Sequence, residues 1–205
     1  MKKLKQLWRI VTHPKELRLA LSGLGMRLGG DEALGGLTSE ERAALVKWVS
    51  QASSLIPHPS SLLFVEIGTL FGLTAKTIAQ QTSAKVVAVD LFCWNPFGLT
   101  PEQHEAFTRD ILSGTGVELV KDDAQHFLSS NVKPQTSNVE PVFVFLDGDH
   151  RYEAVKAELK ILKKQGVKYI AGHDFGNPRF GVTEAVREVL GEPDEVVGMV
   201  WYKKA

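Results

Sequence analysis

Residues 63–72 read LFVEIGTLFG, an apolar run interrupted by one acid, Glu66, and followed by two glycines four apart, Gly68 and Gly72. The pattern predicts a buried strand running into a tight turn, because glycine lets the chain bend sharply and approach a ligand closely with no Cβ in the way. The acid at the end of such a strand then needs a reason.

Further apolar runs occur at 86–92, 117–120, 141–146 and 167–171, and the first extends over 62–67. Helix-period segments lie between them, at about 72–82, 101–113, 124–130 and 152–165. Near-continuous apolar strands separated by helices predict a parallel sheet covered on both faces. The expected fold is therefore α/β: a Rossmann-like, doubly wound, mostly parallel sheet. A last helix, 181–190, leads to a terminal strand region, 195–203. Upstream, Thr38 and Glu41 form a capping-box pattern that opens a helix ending near residue 53. Residues 1–55 thus read as an N-terminal helical extension, and 56–205 as the sheet domain.

With 205 residues and 43% hydrophobic content, the chain suits one full core. No run of about 18 apolar residues exists and no secretory signal pattern opens the chain, so a cytoplasmic protein is expected. The single cysteine, Cys93, excludes an intrachain disulfide framework and a cysteine-based zinc cluster, and reads as a small packing residue. Net charge is zero, which argues against nucleic-acid binding by the whole chain. Residues 1–30 nevertheless carry seven Lys or Arg against one acid. Leu4, Leu7, Trp8 and Val11 repeat there at helical spacing between the lysines. That segment is open to three readings: a lid or subunit contact in a homodimer, a membrane-surface helix on anionic lipid, or a tail.

In a sheet of this kind ligands bind outside the carboxyl ends of the strands, at the switch point. All five strand ends carry acids: Glu66, Asp90, the pair Asp122 and Asp123, then Asp147 with Asp149 and His150, and finally Asp174 after His173. Asp90 lies 24 residues after Glu66, where an acid can accept the hydroxyls of an unphosphorylated ribose. A dinucleotide would want Gly-x-Gly-x-x-Gly, but leucines stand at 70 and 73, and Glu66 adds negative charge where a pyrophosphate would lie. The turn favours a nucleoside that carries positive charge, and S-adenosylmethionine has both an ammonium and a sulfonium.

FVEIGTLFGLTAKTIAQ, VVAVDLF, DDAQHFL, VFLDGDHRYEAVKAELK and AGHDF followed by GVTEAV resemble the successive motifs of class I S-adenosylmethionine-dependent methyltransferases. The pair DGDH and GHD is similar to the subgroup of cephalosporin-pathway and macrolide-sugar O-methyltransferases. The resemblance covers about residues 62–189. It implies that Glu66, Gly68 and Gly72 face the methionine part of the cofactor and that Asp90 holds the ribose. Asp123 and Ala124 would lie against adenine, with Asp122 an equal candidate for the acid. It also leads one to expect a closing antiparallel strand pair, for which the segment after residue 181 leaves little room, so an abbreviated pair is expected.

Asp147 and His150 are three apart at one strand end, and His173 and Asp174 end the neighbouring strand. Asp147, His173 and Asp174 could therefore meet around a divalent cation, magnesium or manganese, with the imidazole tilting the choice toward manganese. In the macrolide-sugar enzymes this subgroup resembles, an Asp and an acidic pair hold the metal and a His three residues beyond the first Asp is the general base. Asp147, Asp174 and His150 match, which implies catalytic roles for His150 and Asp147. His173 departs from the template, which has an acid there. The expected reaction is methyl transfer to a hydroxyl of a small molecule or sugar. The rivals are an NAD-dependent oxidoreductase, a non-catalytic scaffold that keeps the fold, and an N- or C-methyltransferase. The loop 93–103, with Trp94 and Phe97, is a candidate wall or cover of the acceptor pocket.

Overall fold

The five apolar runs become five parallel strands, β1 (Leu63–Ile67), β2 (Lys85–Asp90), β3 (Glu118–Lys121), β4 (Val142–Leu146) and β5 (Tyr169–Gly172). The structure is a computed structural model that describes residues 37–96, 98–133 and 140–205. Two more strands, β6 (Glu195–Val197) and β7 (Val200–Lys204), complete one sheet in the order β3-β2-β1-β4-β5-β7-β6. β7 runs antiparallel to both β5 and β6. The closing pair is thus formed. Only β6 is short, and the Gly198 turn, at a φ of 60°, lets it fold back at once.

Among the described residues six α-helices cover the sheet: α1 (Ser39–Ser54), α2 (Leu73–Gln81), α3 (Pro101–Leu112), α4 (Ala124–Asn131), α5 (Tyr152–Gln165) and α6 (Val182–Leu190). Their starts follow local chemistry. Thr38 and Glu41 close the expected capping box on α1, and Thr100 with Gln103 closes a second on α3, with Pro101 in its first turn.

Because strand side chains alternate, the central strands are apolar on both faces. Val65, Ile67, Val144, Leu146 and Ile170 pack with α4, α5 and α6. Phe64, Ala88, Phe143, Phe145 and Ala171 pack with α1 and α2. On this second face an aromatic ladder crosses the strands. Phe64 stacks on Phe143, Phe143 on Tyr169 and Tyr202, and Tyr202 on Trp48 of α1 at 5.3 Å between centroids. Trp48 is fully buried and its indole N–H donates to Glu195 at 3.0 Å. Truncating it to Ala would cost ~3–5 kcal/mol and release α1 from the sheet. α1 therefore packs into the same core as this face of the sheet.

Among the described residues no helix is long and apolar enough to cross a membrane. The expectations for residues 1–30, homodimer contact and membrane surface alike, and for Phe97 lie outside the described residues.

Candidate functional site

The register builds the site. Ile67 sits beside Val89 and Leu146, and Leu146 beside Gly172. One step on, Asp90, Gly68, Asp147 and His173 therefore form a row along the carboxyl edge. The ladder continues past the strands to hold that row, with Gly68 N–H on Val89 at 2.9 Å, Asp147 N–H on Ile67 at 2.8 Å and His173 N–H on Leu146 at 3.0 Å.

Gly68 has a φ of 82°, and a Cβ there would overlap the Asp147 carbonyl oxygen and stand 2.6 Å from its carbon. The first glycine of the turn is thus demanded by the backbone of the β4 loop as well as by its own conformation. Gly72 is the N-cap of α2. Between them Leu70 takes a φ of 50°, unusual for a leucine. Its carbonyl accepts from Thr108 Oγ1 and pairs with His104 Nε2, both at 2.8 Å. These two buried residues of α3 were missed in the sequence, although with Leu112 they fall four apart on one helical face. His104 lies edge-on to Phe71 and Phe92, which ties α3 to both turns.

Asp90 is built into the same turn. Its two oxygens accept from Leu70 N–H at 2.8 Å and from Phe92 N–H at 2.7 Å. Burial raises its pKa, against those backbone donors. Glu66 is 2% exposed and accepts from the Thr69 hydroxyl. Burial pushes it up to about 8, against the Thr69 bond and with help from the negative charges of Asp147 and Asp90. Asp123 is the N-cap of α4 and accepts from His126 N–H at 3.0 Å, while Asp122 holds the His126 ring at 2.9 Å. Ala124, the first residue of α4, packs at the edge of the core.

At β4 and β5 the expected residues converge. Asp147, His173 and Asp174 place one donor atom each within 4.8 Å of one another. His173 Nδ1 faces Asp147 Oδ1 at 3.4 Å and Asp174 Oδ2 at 3.5 Å, and His150 Nδ1 faces Asp174 Oδ2 at 3.3 Å. Asp174 reaches this position with a φ of 60°, a left-handed conformation that Asp tolerates better than most residues, and Asn177 donates to its other oxygen at 2.7 Å. Burial disfavours a charged His173, but the facing carboxylates of Asp147 and Asp174 overcome that and raise it to about 10. Burial raises Asp147, against His173. Asp174 is held low, since His173 and Asn177 outweigh its burial. Asp147 does not cap α5; that position belongs to Arg151, which is tied to Asp149. The His150 ring lies 4.7 Å from that of Phe180.

One further expectation is corrected. Cys93 is exposed, not a packing residue, because Phe92 turns inward with a φ of 56° and sends its successor outward. Trp94 is 68% exposed, on a loop that Asn95 closes by bonding both backbone groups of Leu99. Glu158 of α5 is a buried acid that the sequence reading passed over.

Residues 65–174 match a family described as a methyltransferase domain. No curated protein matches the chain. Among solved structures, the 23S rRNA methyltransferase ErmE is similar at 17% identity and TM-score 0.40, covering 62% of this chain and 44% of that one. The chain therefore spans less than half the length of ErmE. The RNA methyltransferase from Salinibacter ruber in complex with S-adenosyl-L-homocysteine is 15% identical at TM-score 0.49, covering 78% and 89%. The O-methyltransferase from Bacillus cereus in complex with S-adenosylhomocysteine is 16% identical at TM-score 0.42, covering 75% and 78%.

Proposed function

The chain belongs to the methyltransferase domain family, whose match takes in more than half of its residues, and from that premise we propose that it moves a methyl group from S-adenosylmethionine to a hydroxyl of a small molecule or sugar. The observation that carries the hydroxyl is the convergence of Asp147, His173 and Asp174 beside His150.

The cofactor's contribution is an already activated methyl group on a sulfonium. The residues of β1 and β2 fit its other groups. Glu66 would take the ammonium, and Gly68 and Gly72 would keep the turn open to it. Asp90, pinned by two N–H groups, keeps lone pairs for the ribose hydroxyls. Asp123 caps α4 with Oδ1, and its Oδ2 would accept from the adenine amine, with Ala124 against the ring. The rival dinucleotide fold orders its strands 3-2-1-4-5-6, whereas here an antiparallel strand stands between β5 and β6.

The donor set at β4 and β5 also fits a divalent cation. Bonds of 2.0–2.6 Å span about 4–5 Å from one ligand to its opposite, which matches donors within 4.8 Å. Two carboxylates and an imidazole suit manganese better than magnesium. Asp147, His173 and Asp174 would hold the ion, which when bound would lower the pKa of an acceptor hydroxyl. His150 does the proton work. Its Nδ1 faces Asp174, which leaves Nε2 to accept the hydroxyl proton, and the Phe180 ring restrains the imidazole's tilt. General-base help of this kind contributes roughly 10²- to 10⁴-fold.

The test is calorimetric titration with S-adenosylmethionine, S-adenosylhomocysteine and NAD, with and without chelator, followed by transfer of labelled methyl to a panel of sugars, phenols and RNA. Saturable binding of the two sulfur nucleosides and label on a hydroxyl acceptor are expected. Binding of NAD alone, or label on RNA alone, would sink the reading.

A further inference from the structure

Glu41 lies in α1, outside the matched residues 65–174, and it is 3% exposed. Every polar contact it makes is directional. Its Oε2 accepts from the Thr38 N–H and hydroxyl, both at 2.9 Å. Its Oε1 accepts from the Met199 N–H at 2.8 Å, in the turn between β6 and β7. Gly198 in that turn is the residue that admits it, because a Cβ there would overlap Oε1 and lie 3.0 Å from Cγ and Cδ. The chain thus brings its first described helix and its last turn together around one carboxylate.

On its open side Oε1 stands 3.7 Å from His173 Nε2. That nitrogen is buried and has no hydrogen-bond partner among the described residues. The ring's other nitrogen, Nδ1, faces Asp147 and Asp174. An imidazole ligates through an unprotonated nitrogen, and the partner of its other nitrogen fixes which one that is. Closing the gap by about 0.5 Å would bring Nε2 and Oε1 into hydrogen-bond range.

We propose that Glu41 is a positioning residue that takes the His173 Nε2–H, so that Nδ1 presents its lone pair to a divalent cation held jointly with Asp147 and Asp174. The inference rests on the cation reading given above. It also supplies a reason for His173 to stand where an acid would otherwise serve: the imidazole can be aimed from behind, by an element that never touches the ion.

The experiment is calorimetric titration of the full chain with Mn²⁺ after chelator treatment, with S-adenosylhomocysteine binding as the check that each variant is folded. Glu41→Gln keeps the size but offers an amide N–H toward Nε2, which favours the opposite tautomer. It should weaken Mn²⁺ by about 10- to 100-fold. Val49→Ala, which loosens α1 without touching Glu41, should lower the melting temperature and leave Mn²⁺ affinity within about twofold. His173→Asp replaces the imidazole with a ligand that has no tautomer to select, and in that background Glu41→Gln should cost nothing further. Equal Mn²⁺ affinity in wild type and Glu41→Gln overturns the inference, as does the same loss in the His173→Asp background. Wild type that binds S-adenosylhomocysteine but no Mn²⁺ overturns the cation reading itself, and the role of Glu41 with it.

Discussion

The two ends of the site's row hold their acids in different ways. At β1 and β2 the carboxylates are met by close donors, Asp90 by two backbone N–H groups at 2.7 and 2.8 Å and Glu66 by a hydroxyl. At β4 and β5, Asp147 and Asp174 face imidazoles at 3.3–3.5 Å, longer than the 2.7–2.9 Å of a tight charge-assisted bond. The first arrangement fixes a turn, and its acids are architecture before they are ligand contacts. The second is fixed by strand ends and by Asn177, with the charged atoms grouped but not locked together. A nucleoside of constant shape suits a prebuilt turn, whereas an acceptor and an ion need donors that can close on them.

Gly68 is where the halves touch, and it offers the largest effect. Gly68→Ala would force a left-handed φ on a side chain and drive its Cβ into the Asp147 carbonyl. A loss of at least ~3 kcal/mol is expected in urea denaturation, with S-adenosylhomocysteine and Mn²⁺ binding both impaired. If only one of the two ligands suffers, the halves are less coupled than the row implies.

Asp90→Ala should separate them. Hydrogen bonds to a charged group contribute about 1.5–3 kcal/mol each, so losing the ribose acceptor together with the turn's anchor should weaken S-adenosylhomocysteine by about 10- to 100-fold. Mn²⁺ affinity should stay within twofold. Loss of Mn²⁺ affinity as well would mean that the turn at β2 supports the far end and that the two halves are not independent.

A smaller effect is tied to pH. Glu66 has its folded pKa raised to about 8, so it is mostly neutral at pH 7, and an ammonium needs the carboxylate. Affinity for S-adenosylhomocysteine, corrected for the ligand's own amine, should rise by about eightfold between pH 7 and 8.5 and level off above, with proton release on binding. Glu66→Gln should flatten the curve. A flat wild-type curve would remove Glu66 from the ammonium.

These residues could be named from the sequence because a parallel sheet converts order along the chain into adjacency across strand ends. Once 63–67, 142–146 and 169–172 are strands of similar length, Asp147 and His173 must be neighbours. Glu41 could not be found that way. Its partners are 158 and 132 residues distant, in a turn whose geometry depends on one glycine. His104 and Thr108 were hidden differently, as polar residues on a helix that also bears Glu102, Glu105 and Arg109 and so reads as solvated. Asp123 illustrates a third limit, since an acid before a helix caps it whether or not it also binds adenine.

Glu158 tests how far the β4 and β5 half depends on charge beneath it. It is 2% exposed on α5, and burial lifts its pKa from 4.5 to about 8, with smaller additions from Asp149 and Asp123. A carboxyl whose folded pKa is raised carries no penalty below the unfolded value, and destabilises progressively as pH climbs from 4.5 through about 8. Glu158→Gln removes the titration and keeps the shape. The variant should equal wild type at pH 4 and be more stable by about 1–3 kcal/mol at pH 8, read from thermal melts across that range. If it is instead less stable at pH 8, Glu158 is ionised in the fold and paired with a cation, and the acids of this half are balanced from below as well as by the histidines at the strand ends.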